Sequence, residues 1–226
     1  MSNELIKRFL SSFFMLPIIA YVLIKGSVLF VIFSIFIAII SIYEWYNLTN
    51  KNKYYRYLGI IFLIISTVTF YLSRNFNNKN HDIEGLQFIT FVIIICILTD
   101  IGGYLFGKTF KGIKLTKISP NKTYSGVIGS FLLPLIFLLI SLSYNFEIIY
   151  FNNNLFYEYP VHMITGFVIF ISLISQIGDL IISLFKRIAK VKDTSTLIPG
   201  HGGLLDRIDG MLFAIPFSYL LIQMLK

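Results

Sequence analysis

Charged side chains are scarce in this chain: Asp, Glu, Lys and Arg make up 13% of its 226 residues, about half the share usual in soluble domains. That deficit excludes an ordinary water-facing surface over most of the protein. Cysteine is scarcer still. The single Cys96 lies in the apolar run 88–98, so one chain can build neither a disulfide framework nor a cysteine-based metal site, and the residue reads as a small core side chain. A cleavage signal is also missing. The first apolar run, about residues 9–24, follows Lys7 and Arg8 in the manner of a signal peptide. It lacks an A-x-A-like site and further apolar runs follow it, so an uncleaved anchor is the better reading. Strict alternation of apolar and polar residues is absent from the long runs, which excludes a membrane β-barrel.

Apolar residues supply 56% of the chain, with a mean hydropathy of +0.78. A helix needs about 20 such residues to cross a hydrocarbon core. Runs of that kind recur at about 9–24, 27–45, 57–73, 86–106, 126–144, 161–183 and 204–225. A spanning segment must satisfy its own backbone hydrogen bonds, so each is predicted to be helical. The fold class is therefore all-α, a polytopic transmembrane helical bundle of about seven spans. Residues 1–80 form an N-terminal set of membrane helices, and residues 81–226 a catalytic transmembrane region.

Basic residues orient that bundle, because cytoplasmic loops carry the positive excess. With the amino terminus cytoplasmic, only Lys25, Arg74, Lys79 and Lys226 of the 19 Lys and Arg fall outside. The net charge of +8 is then topological in origin, and no nucleic-acid partner is needed to explain it.

Four acids do not fit that pattern. Asp100, Asp179, Asp206 and Asp209 lie at or within the ends of apolar runs, where a carboxylate near mid-bilayer costs about 2.5–3.5 kcal/mol. Any one of them alone is as well explained by a structural ion pair or a helix end at the interface. All four, however, sit toward the cytoplasmic ends of their spans, so they can converge. Asp179, Ser183, Lys186 and Arg187 fall on one helix face, as do Asp206 and Asp209 on another. Two helices presenting carboxylates to one cavity, with Lys and Arg beside them, suit divalent cations and polyanionic phosphates together.

Between these helices lies Lys192-Asp193-Thr-Ser-Thr-Leu-Ile-Pro199-Gly200-His201-Gly202-Gly203. Its glycines permit close backbone approach, so successive amides could point at a phosphate or ribose. A Gly-Gly turn is more often a plain helix-to-helix connection. For His201 three roles stay open: general acid, phosphate ligand or structural hydrogen-bonder. In the other basic loop, Gly102 to Thr109 satisfies the Walker A pattern literally. It emerges from a membrane span rather than from a strand of a soluble α/β unit, so a P-loop is rejected.

The stretch Ser183-Leu-Phe-Lys186-Arg187, Lys192-Asp193-Thr-Ser195, Ile198-Pro199-Gly-His201-Gly202-Gly203, Asp206-Arg207-Ile-Asp209 resembles the signature of the phosphatidate cytidylyltransferases, the CDP-diacylglycerol synthases. Gly178-Asp179-Leu, Asp100-Ile-Gly-Gly-Tyr and Ile118-Ser119-Pro120-Asn-Lys122-Thr123 resemble the same family upstream, as do Arg8 with Pro17 and Glu44-Trp45. Two features depart from it. Ser125 stands where the family commonly has Glu, and the chain is short, with fewer spans than many members.

The resemblance implies the reaction of CTP with phosphatidate to give CDP-diacylglycerol and diphosphate, in phospholipid biosynthesis. It implies a multi-pass protein of the cell's inner (plasma) membrane with its site at the cytoplasmic face. It also implies Mg²⁺ on Asp179 and Asp206, with room for a second monovalent or divalent cation. Asp209, Asp193 and Lys192 would join the catalytic set. Ser183, Lys186, Arg187, His201, Gly202, Gly203, Arg207, Lys122, Ser119 and Asp100 would bind substrate. The partners are CTP, phosphatidic acid and the bilayer, and a homodimer is one compatible assembly. The rival readings are a related CTP-using lipid kinase, a cytidylyltransferase acting on ether lipids, and a transporter with broken helices. No internal repeat pairs the two halves as a transporter would have them, and the CDP-alcohol phosphotransferase pattern is absent.

Overall fold

The computed structural model describes residues 17–75, 83–116, 119, 122–144, 159–198 and 202–225. They form α1 (residues 17–25), α2 (Ser27–Leu48), α3 (Lys53–Arg74), α4 (Ile83–Phe110), α5 (Tyr124–Tyr144), α6 (Val161–Ile188) and α7 (Leu205–Met224). Among the described residues there is no strand, only isolated antiparallel bridges at Lys114–Thr123 and Ile198–Gly202. The all-α expectation holds. About seven spans were expected; among the described residues five helices are long and apolar enough to cross a membrane: Ser27–Leu48, Lys53–Arg74, Gly85–Phe110, Tyr124–Ser143 and Val161–Ile188. The last helix, α7, opens on Asp206, Arg207 and Asp209.

The helices outrun the apolar stretches that foretold them. α4 continues through Gly107 and Lys108 to Phe110, and α6 through Lys186 and Arg187 to Ile188. Lys and Arg are good helix formers, so reaching the interface ends the hydrophobic pattern but not the helix. The Walker-like Gly102 to Thr109 is thereby enclosed in α4, as its rejection required.

Interhelical hydrogen bonds and close approach hold a bundle together where lipid removes the hydrophobic driving force. Ser66 on α3 donates to the Leu212 carbonyl of α7 at 2.8 Å, and Thr99 on α4 to Ser172 of α6 at 3.0 Å. α4 and α5 meet backbone to backbone: a Cβ on Gly102 would lie 2.2 Å from the Gly129 carbonyl oxygen, and one on Gly129 2.5 Å from that of Gly102. Phe88, Phe91, Val92 and Ile95 of α4 interlock with Phe167, Val168 and Ile171 of α6 and Ala214 and Ile215 of α7. Ile32, Phe36 and Ile39 on α2 and Ile61, Ile65 and Val68 on α3 are exposed, as a face toward acyl chains would be.

Successive helices alternate in direction, and the contacts at each end show it. At one end Arg74, closing α3, donates from Nε to the Leu23 carbonyl of α1 at 2.8 Å. At that same end Tyr159, just before α6, donates to the Leu225 carbonyl after α7 at 3.1 Å. At the other end Trp45 of α2 donates to the Tyr55 and Arg56 carbonyls of α3 at 3.2 Å, and its ring meets Phe185 of α6 edge-on. That second end gathers the acidic residues.

Candidate active site

α6 supplies the spine of the site. Asp179 and Ser183 are one turn apart, and the Ser183 hydroxyl donates to Asp179 Oδ1 at 3.2 Å, as the face reading predicted. Gly178 lets α7 approach: a Cβ there would come within 2.9 Å of the Asp209 carbonyl oxygen. Asp209 is thereby buried beside α6, its Oδ1 accepting the Gly210 amide at 2.9 Å. Its charge lies within electrostatic reach of Asp179, Asp100 and Lys186. Asp100, from α4, in turn feels Asp179, Lys122 and Arg207. Three carboxylates from three helices thus lie within electrostatic reach of one another.

Two lysines answer them. Lys122 Nζ sits 2.6 Å from Asp179 Oδ2, and Lys186 Nζ 2.7 Å from Asp206 Oδ1. Lys122 is delivered by the connection between α4 and α5, which closes on itself. The Leu115 amide donates to the Lys122 carbonyl at 2.8 Å, the Lys122 amide to the Ser119 carbonyl at 3.1 Å, and the Tyr124 amide to the Ile113 carbonyl at 3.1 Å. Thr123 then caps α5, its hydroxyl oxygen accepting from the Gly126 amide at 3.1 Å. Ser125, at the family's usual Glu position, donates its hydroxyl to the Lys111 carbonyl. It serves the connection's shape instead of presenting an acid.

Asp206 sits at the first turn of α7 and holds the loop that precedes it. Oδ2 accepts the Thr194 amide at 2.8 Å and the Gly203 amide at 2.9 Å, with the Thr194 hydroxyl at 3.1 Å. Glu44 of α2 completes the hold from the far side of the sequence. It is fully buried. Its Oε1 accepts the Ser195 hydroxyl at 2.6 Å and the Leu204 amide at 2.9 Å, and its Oε2 the Thr194 hydroxyl at 2.9 Å and the Leu205 amide at 2.8 Å.

For the glycine-rich turn two readings stood open, amides aimed at a phosphate or ribose and a plain helix-to-helix connection; in the structure the amides of Gly203, Leu204 and Leu205 are turned onto Asp206 and Glu44. Gly203 is needed for room. A Cβ there would lie 2.0 Å from the Thr194 hydroxyl and 2.6 Å from Glu44 Oε2. Gly202 has φ +86, and a Cβ on it would approach Asp206 Oδ2 to 2.9 Å, so its part too is in shaping the loop. Lys192 and Asp193 stand exposed where the loop begins, and Arg187 and Arg207 are exposed at the helix ends. His201 lies outside the described residues.

Among the described residues no three of His, Cys, Asp and Glu form a cage for a metal ion. Mg²⁺ does not need one, since it is commonly held by one or two carboxylates together with substrate phosphates and water. The donor set is all hard oxygen. Asp179 Oδ2 and Asp206 Oδ1 each already hold a cationic group, the ammonium of Lys122 and of Lys186, in positions that a divalent ion would share or take over. Asp179 and Asp206 are thus oxygen donors of the kind Mg²⁺ takes, with Thr194 and Gly203 orienting Asp206 from behind.

Residues 50–225 match the sequence profile of the Cytidylyltransferase family. The chain belongs to that family. Among its curated relatives, the phosphatidate cytidylyltransferase of Staphylococcus aureus (strain COL) is 41% identical over 169 residues, covering 74% of this chain and 56% of the relative. The protein of the same name from Haemophilus influenzae is 38% identical over 173 residues, covering 74% and 57%. That of Staphylococcus haemolyticus is 36% identical over 169 residues, covering 74% and 58%. The matched stretch thus spans just over half the length of these cytidylyltransferases. The profile match takes in the acidic and basic residues described above but begins beyond Glu44.

Proposed function

We propose that this chain is a phosphatidate cytidylyltransferase, converting CTP and phosphatidate to CDP-diacylglycerol and diphosphate. The observation that carries this reading is the cross-pairing of Lys122 with Asp179 and of Lys186 with Asp206, which assembles alternating charge from α6, α7 and the α4–α5 connection at one end of the bundle. A site for two polyanions needs both signs: carboxylates to hold a cation and lysines to hold phosphate oxygens.

A phosphatidate phosphate oxygen attacks the α-phosphorus of CTP, the bond from that phosphorus to the bridging oxygen of the β-phosphate breaks, and diphosphate leaves with its electron pair. The attacking oxygen is already ionised at neutral pH, so no strong base is required. Asp179 and Asp206 would hold Mg²⁺, whose chemistry is to neutralise phosphate oxygens on the nucleotide and leaving group. Lys122 and Lys186, freed from their carboxylates, turn to the phosphates. The exposed Arg187, Lys192 and Arg207 extend the same positive field, and Ser183 adds a hydroxyl beside Asp179. The work of these residues is positioning and charge neutralisation.

The site end of the bundle also carries Lys51, Lys53, Arg56, Lys108, Lys111, Lys114, Lys190 and Lys192, against Lys25 and Arg74 at the opposite end. That asymmetry supports a cytoplasmic site, and seven spans, a cytoplasmic amino terminus and a plasma-membrane location belong to the same proposal. CTP then arrives from water while the diacyl tails stay in lipid.

Membranes carrying the protein, incubated with labelled CTP, phosphatidate and Mg²⁺, should form labelled CDP-diacylglycerol and release diphosphate. Failure to incorporate label when a parallel active enzyme does so would sink the proposal.

A further inference from the structure

We infer that Glu44 is a positioning residue for the nucleotide half of the reaction, acting through the described loop residues 192–198 and 202–204 and the first turn of α7. The inference rests on the cytidylyltransferase reading above and extends it to a residue outside the family-matched stretch. Glu44 lies some 150 residues from the groups it holds. It is fully buried in the end of an apolar helix, where an acid needs a specific reason to be tolerated.

The reason is a complete set of donors. Two backbone amides at the start of α7 and two hydroxyls of the loop share its two oxygens, each at 2.6–2.9 Å. A carboxylate suits this place as no neutral side chain does. It accepts at both oxygens, and it answers the positive end of the α7 dipole. A glutamine would turn one acceptor into an N–H facing the Leu204 or Leu205 amide, leaving two donors opposed. Thr194 links this hold to the reacting centre, since its hydroxyl lies 2.9 Å from Glu44 Oε2 and 3.1 Å from Asp206 Oδ2. Asp206 in turn meets Lys186. Loss of the Glu44 charge therefore frees the loop that fixes Asp206 and presents Lys192.

The effect should fall on the water-borne substrate. The loop begins after α6 ends at Ile188, with Lys192 and Asp193 exposed, whereas the lipid's tails would stay in the bilayer. Trp45, next to Glu44, separately ties α2 to α3 through the Tyr55 and Arg56 carbonyls, so the fold does not depend on Glu44 alone.

The test is steady-state kinetics of Glu44→Gln and Glu44→Asp in detergent-purified full-length chain, with hydrogen exchange read at the amides of Thr194, Gly203, Leu204 and Leu205. Removal of a group that orients a ligand residue typically lowers activity by about 10–100-fold. We expect Glu44→Gln to lower kcat/KM for CTP by that factor, to leave KM for phosphatidate within about twofold, and to speed exchange at the four amides. Glu44→Asp keeps the charge but is one methylene short, and should fall between. Should Glu44→Gln not fold, Ser195→Ala removes one donor at a partly exposed position and should show the same CTP-selective loss, of smaller size. Wild-type kinetics in these variants would overturn the inference. Equal losses for both substrates together with a lowered unfolding temperature would overturn it too, because they signify a purely structural role. A wild-type protein with no lipid-dependent transfer would instead sink the cytidylyltransferase reading, and the exchange data would still decide whether Glu44 governs the loop.

Discussion

Two carboxylate neighbourhoods lie side by side at one end of this bundle, and their hydrogen bonding is opposite in kind. Around Glu44 and Asp206 Oδ2, backbone amides and hydroxyls fill the acceptor positions. Asp179, Asp209 and Asp100 instead feel one another's charge, and the ion pair to Lys122 is still open to solvent, with side chains 26% and 28% exposed. A saturated acid is part of the frame, because any change in its partners costs buried hydrogen bonds. An unsaturated cluster of like charge is held at a cost to the fold and is where cation and substrate are to be expected. Asp206 belongs to both, with Oδ2 in the frame and Oδ1 on Lys186.

The largest test of that division is neutralisation of the open side. Asp179→Asn and Asp206→Asn should each lower cytidylyl transfer by about 10³-fold, the scale of removing a principal group that handles reacting charge. The measurement is labelled CDP-lipid formation in membranes in which insertion is verified, across a Mg²⁺ titration. Asp179→Asn should leave the loop amides of residues 194, 203 and 204 protected, while Asp206→Asn should expose those of 194 and 203. Retention of a tenth of the activity by Asp179→Asn would remove the open cluster from the reaction.

The two lysines should separate next, on stability more than on rate. Lys186 and Asp206 are paired in a buried setting, at 13% and 6% exposure. Lys186→Met leaves a buried carboxylate short of its cation, a change that typically costs about 3–5 kcal/mol, and it should lower both the unfolding temperature and activity. Lys122→Met breaks a more open pair worth about 0–1 kcal/mol. It should leave the unfolding temperature nearly unchanged while lowering kcat/KM by about tenfold or more. Equal thermal shifts in the two variants would erase the contrast between a framed and an open pair.

A smaller effect is expected from Gly203→Ala, which probes the frame by volume alone. The added methyl would meet Thr194 and Glu44 at 2.0 and 2.6 Å, so overpacking of about 1–3 kcal/mol should appear as a lowered unfolding temperature with a moderate loss of turnover. Unchanged stability would show that the loop can yield there, and that the glycine's place in the signature has another cause.

Much of this was legible in the sequence, for physical reasons that also mark where legibility ended. Apolar runs near the length of a bilayer crossing gave the helices, and helical periodicity put Asp179 and Ser183 on one face, where they now share a hydrogen bond. The signature between Ser183 and Asp209 is nearly contiguous, so its residues come together by local folding. Helix ends were less legible, because Lys108 and Lys186 end the hydrophobic pattern without ending the helix. The commitment of Gly203, Leu204 and Leu205 to carboxylates was invisible, since backbone amides leave no mark in residue identity. Glu44 carried two usable signals, the first being that the pair Glu44-Trp45 resembles the family. It is also an acid within an apolar run and obeys the same rule that singled out the four aspartates. Its partners, however, lie on a loop far along the chain, and nothing in the spacing joins them.

The smallest effect on activity should come from the far end of the bundle, which serves as a control for everything above. Arg74 is buried, and its guanidinium answers the Leu23 and Ile24 carbonyls where α1 ends. Positive charge at a helix C-terminus is favourable, and those carbonyls have no intrahelical partner. Arg74→Met should thus cost about 1–3 kcal/mol of stability through unsatisfied buried acceptors, seen as a lower unfolding temperature in detergent. KM for CTP and for phosphatidate should stay within about twofold of wild type, because no contact described at that end touches the carboxylates or loop residues 192–198 and 202–204. A CTP-selective defect in Arg74→Met would mean that the two ends are coupled through the helices. In that event the selectivity expected of Glu44 variants could no longer be assigned to the loop it holds.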